Sequence, residues 1–110
     1  MENIMFVIVW QFKVPPENAA EFERQYGPAG VWAKFFSRSQ EYLGTRLLRD
    51  TEQRRQYVTF DFWKSEAAFR EFEEKFRDEY KAIDTTLERL TATERRLGVF
   101  DSDHRNQSDE

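Results

Sequence analysis

Between Gln56 and Phe72 the spacing of apolar residues changes from two to about 3.6, which marks a strand running directly into a helix. In the strand, Val58, Phe60 and Phe62 fall on one face, and Tyr57, Thr59, Asp61 and Trp63 on the other, so both faces carry bulk. Ser65 is placed to cap the helix through its hydroxyl, and Glu66 suits the positive helix end. Phe69, Phe72, Phe76 and Tyr80 then recur at steps of three or four, a stripe that predicts a helix lying against a sheet. Ile83, Leu87 and Leu90 prolong the stripe, so helix is predicted over 65–90 with a break near Arg77 and Asp78.

Upstream, residues 5–14 begin as a solid apolar run and end alternating, with Trp10, Phe12 and Val14 on one face, which reads as a central strand. Pro15 and Pro16 stop it and open a helix to about Tyr26 that buries Ala19, Phe22 and Tyr26. Gly27, Pro28, Ala29 and Gly30 break that helix, and a short aromatic helix is predicted over 31–38. Residues 42–49 form the second strand, joined to 56–63 by a polar turn that suits an antiparallel hairpin. A last strand is expected over 92–100, followed by a polar tail, 101–110, expected to be disordered.

This order predicts an α+β domain over 1–100 with the ferredoxin-like split β-α-β arrangement: a four-stranded antiparallel sheet with its helices on one face. The other face is left open, and Tyr57, Thr59, Asp61 and Trp63 are assigned to it. An apolar face of that kind implies a homodimer paired through the sheets.

Composition narrows the chemistry. Aromatic residues make up 16% of the 110 residues, with 11 Phe, 4 Tyr and 3 Trp, enough to dominate a small core and to wall a pocket for a flat aromatic ligand. The formal net charge is −4, but the 101–110 tail carries most of it, so the body offers no positive field for nucleic acid or an anionic membrane. With no cysteine there is no disulfide or thiolate chemistry, and the apolar run near the N-terminus is too short to span a bilayer; a cytoplasmic protein is expected. The single histidine, His104, sits in the tail, so no metal or cofactor site is expected from it. Gly27 and Gly30 follow a helix rather than a strand and form no phosphate cradle. Asp61, between Phe60 and Phe62, is expected to pair with Arg46 or Arg49 on the neighbouring strand, as a structural ion pair rather than a catalytic acid. Trp10, Trp32, Phe35, Phe36 and Phe72 are candidate substrate-binding rings. Tyr80 is a candidate proton donor and Arg46 a candidate anion-stabilising group.

The stretches 9–14, 26–36, 44–50 and 57–69 together resemble the antibiotic biosynthesis monooxygenase domain, within the dimeric α/β-barrel superfamily, over about residues 5–100. The resemblance implies a homodimeric barrel; some members oxidise polycyclic aromatics with molecular oxygen and without metal or flavin, and others cleave haem. The asparagine, tryptophan and histidine of the haem-cleaving branch fall near Trp10, at Phe72 and near Ala82, so haem cleavage is not expected. The oxygenase branch also has a tryptophan where this chain has Phe72, leaving Tyr80 and Arg46 as polar candidates. The sequence reading is therefore a cofactor-free monooxygenase acting on a phenol- or hydroquinone-like ring, against the alternative of a non-catalytic binding or structural module.

Overall fold

The computed structural model describes residues 5–102. Strand β1 (Phe6–Lys13) is followed by a single 3₁₀ turn (Pro16–Asn18), helix α1 (Ala19–Tyr26) and the short helix α2 (Val31–Phe36). A hairpin of β2 (Tyr42–Arg49) and β3 (Gln56–Trp63) leads into α3 (Glu66–Lys75) and α4 (Arg77–Leu87), and β4 (Thr93–Asp101) ends the fold. The sheet is antiparallel throughout, in the order β2-β3-β1-β4, with all helices on one side.

Local chemistry sets these boundaries. Pro15 and Pro16 end β1 and start the 3₁₀ turn, since neither can donate to a ladder and both hold φ near a helical value. Ser65 caps α3 by accepting the Ala68 amide at 3.1 Å. The predicted break in the long helix falls at Phe76, whose φ of −114° and ψ of 32° separate α3 from α4. Gly30 lies where an added Cβ would meet the Gln25 carbonyl oxygen at 2.2 Å, so the chain can fold back over the end of α1 only with glycine there.

The faces of β3 are the reverse of the expected ones. Trp63 and Tyr57, at 0% and 1% exposure, lie under the helices with Thr59 and Asp61, on the same side as Phe6, Ile8, Trp10 and Phe12, with which they pair across the ladder. The four residues assigned to a dimer surface therefore belong to the protomer's own interior. The reason is the packing around Trp63, whose indole meets Phe36, Tyr42, Phe69 and Phe72 at centroid distances of 5.3–5.4 Å. Val58, Phe60 and Phe62 face the open side instead.

Two strands carry an extra residue. In β2 the pairing shifts between Tyr42 and Gly44, leaving Leu43 unpaired, and Gly44 takes φ of +133°, a conformation that favours glycine. In β4 the pairing with β1 shifts so that Val9 meets Gly98 while Trp10 meets Arg96, and Leu97 is the extra residue. Each extra residue reverses which side chains beyond it face the helices.

The C-terminal strand also runs further than expected. Asp101 belongs to β4, and Ser102 returns a bond to Met5 at 3.0 Å, so the predicted tail cannot begin at 101. His104 and the rest of the tail lie outside the described residues.

Candidate functional site

Beneath the helices the core divides into two aromatic clusters, one around Trp63, Phe35, Phe36, Phe69 and Phe72, the other around Phe12, Phe22, Tyr26 and Tyr57. Trp10, Trp32 and Ile83 touch both. Between the clusters a cavity of about 90 Å³ opens, lined by Trp10 and Phe12 from β1, Tyr26 from α1, Trp32 and Phe36 from α2, Thr59 and Asp61 from β3, Tyr80 and Asp84 from α4, and Glu94 from β4. That volume exceeds the ~10–15 Å³ a single water requires. Asp84 and Glu94 are the exposed members and mark the mouth; Thr59 is buried at the floor.

Trp10, Trp32, Phe36 and Tyr80, all singled out from sequence, thus meet around one cavity, with Trp32 and Tyr80 in ring contact at 5.1 Å. Phe35 and Phe72 do not line it. They pack edge-on against each other at 5.0 Å inside the first cluster and are 4% exposed, so they support the wall rather than form it. Arg46 is misplaced altogether: it pairs with Phe60 on the open side of the sheet, while its neighbours Thr45 and Leu47 face the helices. The alternation of side chains along β2 forbids it from reaching the cavity.

Asp61 is likewise not paired with an arginine. Its Oδ1 accepts the Thr45 hydroxyl at 2.6 Å, and Thr45 Oγ1 is in turn bonded to the Tyr42 hydroxyl. Because the Thr45 proton is committed to the carboxylate, Tyr42 is the donor in that second bond. The chain of three groups depends on the irregular strand: Tyr42 and Thr45 would lie on opposite faces of a regular β2, and the extra Leu43 brings both to the helix side. Burial pushes the Asp61 carboxyl up to about 6 from the usual 3.8, with the Thr45 bond opposing. Arg49, the other expected partner, instead approaches Glu23 at 3.8 Å, and Glu23 accepts the Tyr57 hydroxyl at 2.5 Å.

Burial dominates the phenols as well. Tyr26 is pushed up to about 12, with the Trp32 indole beside it pulling the other way, and Tyr80 is raised further by burial and by Glu73, Asp61 and Asp84, so both keep their protons. The Trp32 Nε1–H is buried and meets no acceptor among the described residues. At the mouth, burial and like-charge neighbours raise Asp84 and Glu94. Sequence reasoning missed Phe12, Tyr26, Thr59, Asp61, Asp84 and Glu94 as lining residues, having assigned Thr59 and Asp61 to the dimer face. Asp84 was findable, since it follows Tyr80 by four positions on one helix face. Glu94 was not, because its direction depends on the extra residue in β4.

Chemically, the arrangement can enclose a ring, take a proton at Asp61 and offer one from Tyr80. Among the described residues no group of three or more His, Cys, Asp or Glu is placed to hold a metal ion, and no helix is long and apolar enough to cross a membrane.

The sequence model for antibiotic biosynthesis monooxygenases matches residues 5–86, most of the chain. The chain belongs to the antibiotic biosynthesis monooxygenase family. Solved structures with the same fold include a point mutant of SnoaB, a cofactor-independent oxygenase from Streptomyces nogalater, which is 23% identical with a TM-score of 0.66, over 94% of this chain and 97% of that one. A protein from Caulobacter crescentus CB15 is 22% identical with a TM-score of 0.67, covering 92% and 90%. A conserved protein from Methanosarcina mazei Go1 is 13% identical with a TM-score of 0.64, covering 94% and 95%. At these identities the likeness establishes the shared fold. No curated protein matches the chain in sequence. In this member of the antibiotic biosynthesis monooxygenase family, the two clusters supply the aromatic walls of the cavity, and Asp61 is one of the three acids that line it.

Proposed function

We propose that this protein is a cofactor-independent oxygenase that oxidises an electron-rich phenol or hydroquinone held in the cavity between sheet and helices. The observation that carries the reading is Asp61, a carboxyl set among aromatic walls with a pKa raised to about 6 and, among the described residues, only one of its oxygens bonded. Family membership and the oxygenase activity of SnoaB, which has the same fold, support it.

In this mechanism Asp61 accepts the phenolic proton of the substrate. The phenolate, electron-rich at its ring carbons, transfers an electron to dioxygen, and the two radicals join through a C–O bond. Tyr80 hydrogen-bonds the resulting peroxide. Asp61 returns the phenolic proton to this peroxide. Loss of water, which carries off that proton and the hydrogen of the oxygenated ring carbon, then breaks the O–O bond and leaves a quinone. One oxygen atom enters the product, the other leaves as water, and the substrate supplies every electron. Trp10, Trp32 and Phe36 hold the ring flat, and the bonds from Tyr42 through Thr45 fix the Asp61 carboxyl in place. The anion-stabilising role expected of Arg46 has no part in this scheme.

Oxygen uptake with a panel of phenols and hydroquinones tests the reading. Uptake above the uncatalysed rate should be abolished or reduced at least about 100-fold in Asp61→Asn. Uptake equal to the uncatalysed rate for every substrate would sink it in favour of a non-catalytic binding module, a reading that the small volume of the cavity favours.

We further propose that two copies pair through the open sheet face. Leu48 and Phe100, 51% and 52% exposed, lie there with Val58, Phe60 and Phe62, and Phe60 stacks on Phe62 at 6.3 Å.

A further inference from the structure

The charge around the cavity is one-sided. Of the ten residues that line it, Asp61, Asp84 and Glu94 are acids and none is a lysine or arginine. Asp84 and Glu94 have no ion-pair partner among the described residues, although each is desolvated and Glu94 feels both Asp84 and Glu88. Around this mouth, Glu88 lies just beyond the end of α4, Glu73 acts on Tyr80 from α3, and Arg96 of β4 is the one cation that acts on Tyr80 among the described residues. The balance stays negative.

This crowding is not an incidental surface charge run. Glu94 faces the cavity because Leu97 is an extra residue in β4: in a regular strand Arg95 and Leu97 would occupy the helix side. Deeper in, Asp61 presents a carboxyl oxygen that no described residue bonds, in the cavity that Trp10, Trp32 and Tyr80 also line. Carboxylates held near one another without a counter-charge, next to aromatic faces whose quadrupoles attract cations, form a receptor for a positive group.

We propose that the pocket selects ring compounds bearing a protonated amine, with the ring between Trp10 and Trp32 and the ammonium at the mouth between Asp84 and Glu94. The inference rests on the same cavity as the proposed oxidation and names its substrate class: a phenol with an amine side chain rather than one carrying a carboxylate. An anionic substrate would meet Asp84 and Glu94 on entry and Asp61 at depth, and a neutral ring would gain nothing from the mouth. The small volume suits a single ring with its charged arm directed outward.

Equilibrium binding of phenethylamine, phenethyl alcohol and hydrocinnamate, three probes of nearly one size and differing charge, tests the proposal without any turnover. Phenethylamine should bind about ten-fold tighter than the alcohol, hydrocinnamate should be weakest, and added salt should narrow the spread. In an Asp84→Asn, Glu94→Gln variant the amine should fall to the affinity of the alcohol while the alcohol itself is unchanged; both residues are exposed, so the fold is retained. Arg96→Gln should widen the preference. Equal affinities for all three probes, tightest binding of hydrocinnamate, a preference that survives the double variant, or no binding of any probe would overturn it. Failure of oxygen uptake with the charge preference intact would count against the oxidation alone.

Discussion

At the scale of single residues, Asp61 is where stability and chemistry pull apart. Its carboxyl is harder to ionise in the folded chain than in the unfolded one, so the folded state holds the proton more tightly. The corresponding stabilisation is fully present below about 3.8 and is lost as pH rises through about 6. The loss amounts to about 3 kcal/mol at neutral pH. Asp61→Asn keeps an oxygen to accept the Thr45 hydroxyl and has no charge to bury. It should therefore be more stable than the parent at pH 8 and nearly equal to it at pH 3.5, in denaturant titrations that compare the two proteins at each pH. The comparison cancels the other carboxyls that titrate in this range, including Asp84 and Glu94, which are raised, and Asp50, which is lowered by the Gln53 and Glu52 amides. A variant less stable than the parent at pH 8 would show that the ionised carboxyl is well accommodated after all. A residue that costs stability and yet lines a cavity is the pattern expected of a functional group.

Among the elements, the irregular strands matter more than the regular ones. Gly44 illustrates the point, because nothing lies within 4 Å of a Cβ built on it and an added methyl group meets no steric obstacle. The only penalty of Gly44→Ala is the φ of +133°, which an L-residue rarely adopts. The variant should lose roughly 1–3 kcal/mol, or else relax β2 toward a regular register that turns Tyr42 away from Thr45. Amide and side-chain NMR of the Tyr42–Thr45 pair distinguishes strain from relaxation, and an unchanged stability with an unchanged Tyr42 environment would contradict both. The helical side is held differently: Arg38, just beyond α2, makes two 2.7 Å bonds to Glu79 of α4, next to Tyr80. That pair is exposed and contributes little to stability, but it joins the two helices that carry Trp32 and Tyr80.

For the whole molecule, the reversal of β3 changes what a test of dimerisation must perturb. A substitution at Trp63 acts on the core: Trp63→Ala should cost about 3–5 kcal/mol of folding stability, whatever the state of association. Phe60→Lys instead places a charge on the open face and leaves the interior untouched. Sedimentation should find the parent dimeric at micromolar concentration and Phe60→Lys largely monomeric with an unaltered circular dichroism spectrum. A monomeric parent would remove the proposed pairing.

Element type and order were legible in the sequence because they depend on local periodicity, proline and capping: β2 and β3 start and stop where the pattern predicts, Ser65 caps α3, and the long helix breaks within a residue of the expected place. The aromatic walls were legible for a related reason, since Trp10, Trp32, Phe36 and Tyr80 each lie on the apolar side of an element. Three things waited on the tertiary structure. Both faces of β3 are bulky, so only the packing of Trp63 against α3 and its neighbours decides which one is inside. Arg46 and Asp61 lie on opposite faces of the sheet, a relation that follows from cross-strand register and not from residue type. Tyr42, Arg96 and Glu94 owe their direction to single extra residues in β2 and β4. Period-two alternation carries no mark of where such an insertion falls, because one residue reverses every side chain beyond it and only the ladder to the neighbouring strand records the shift.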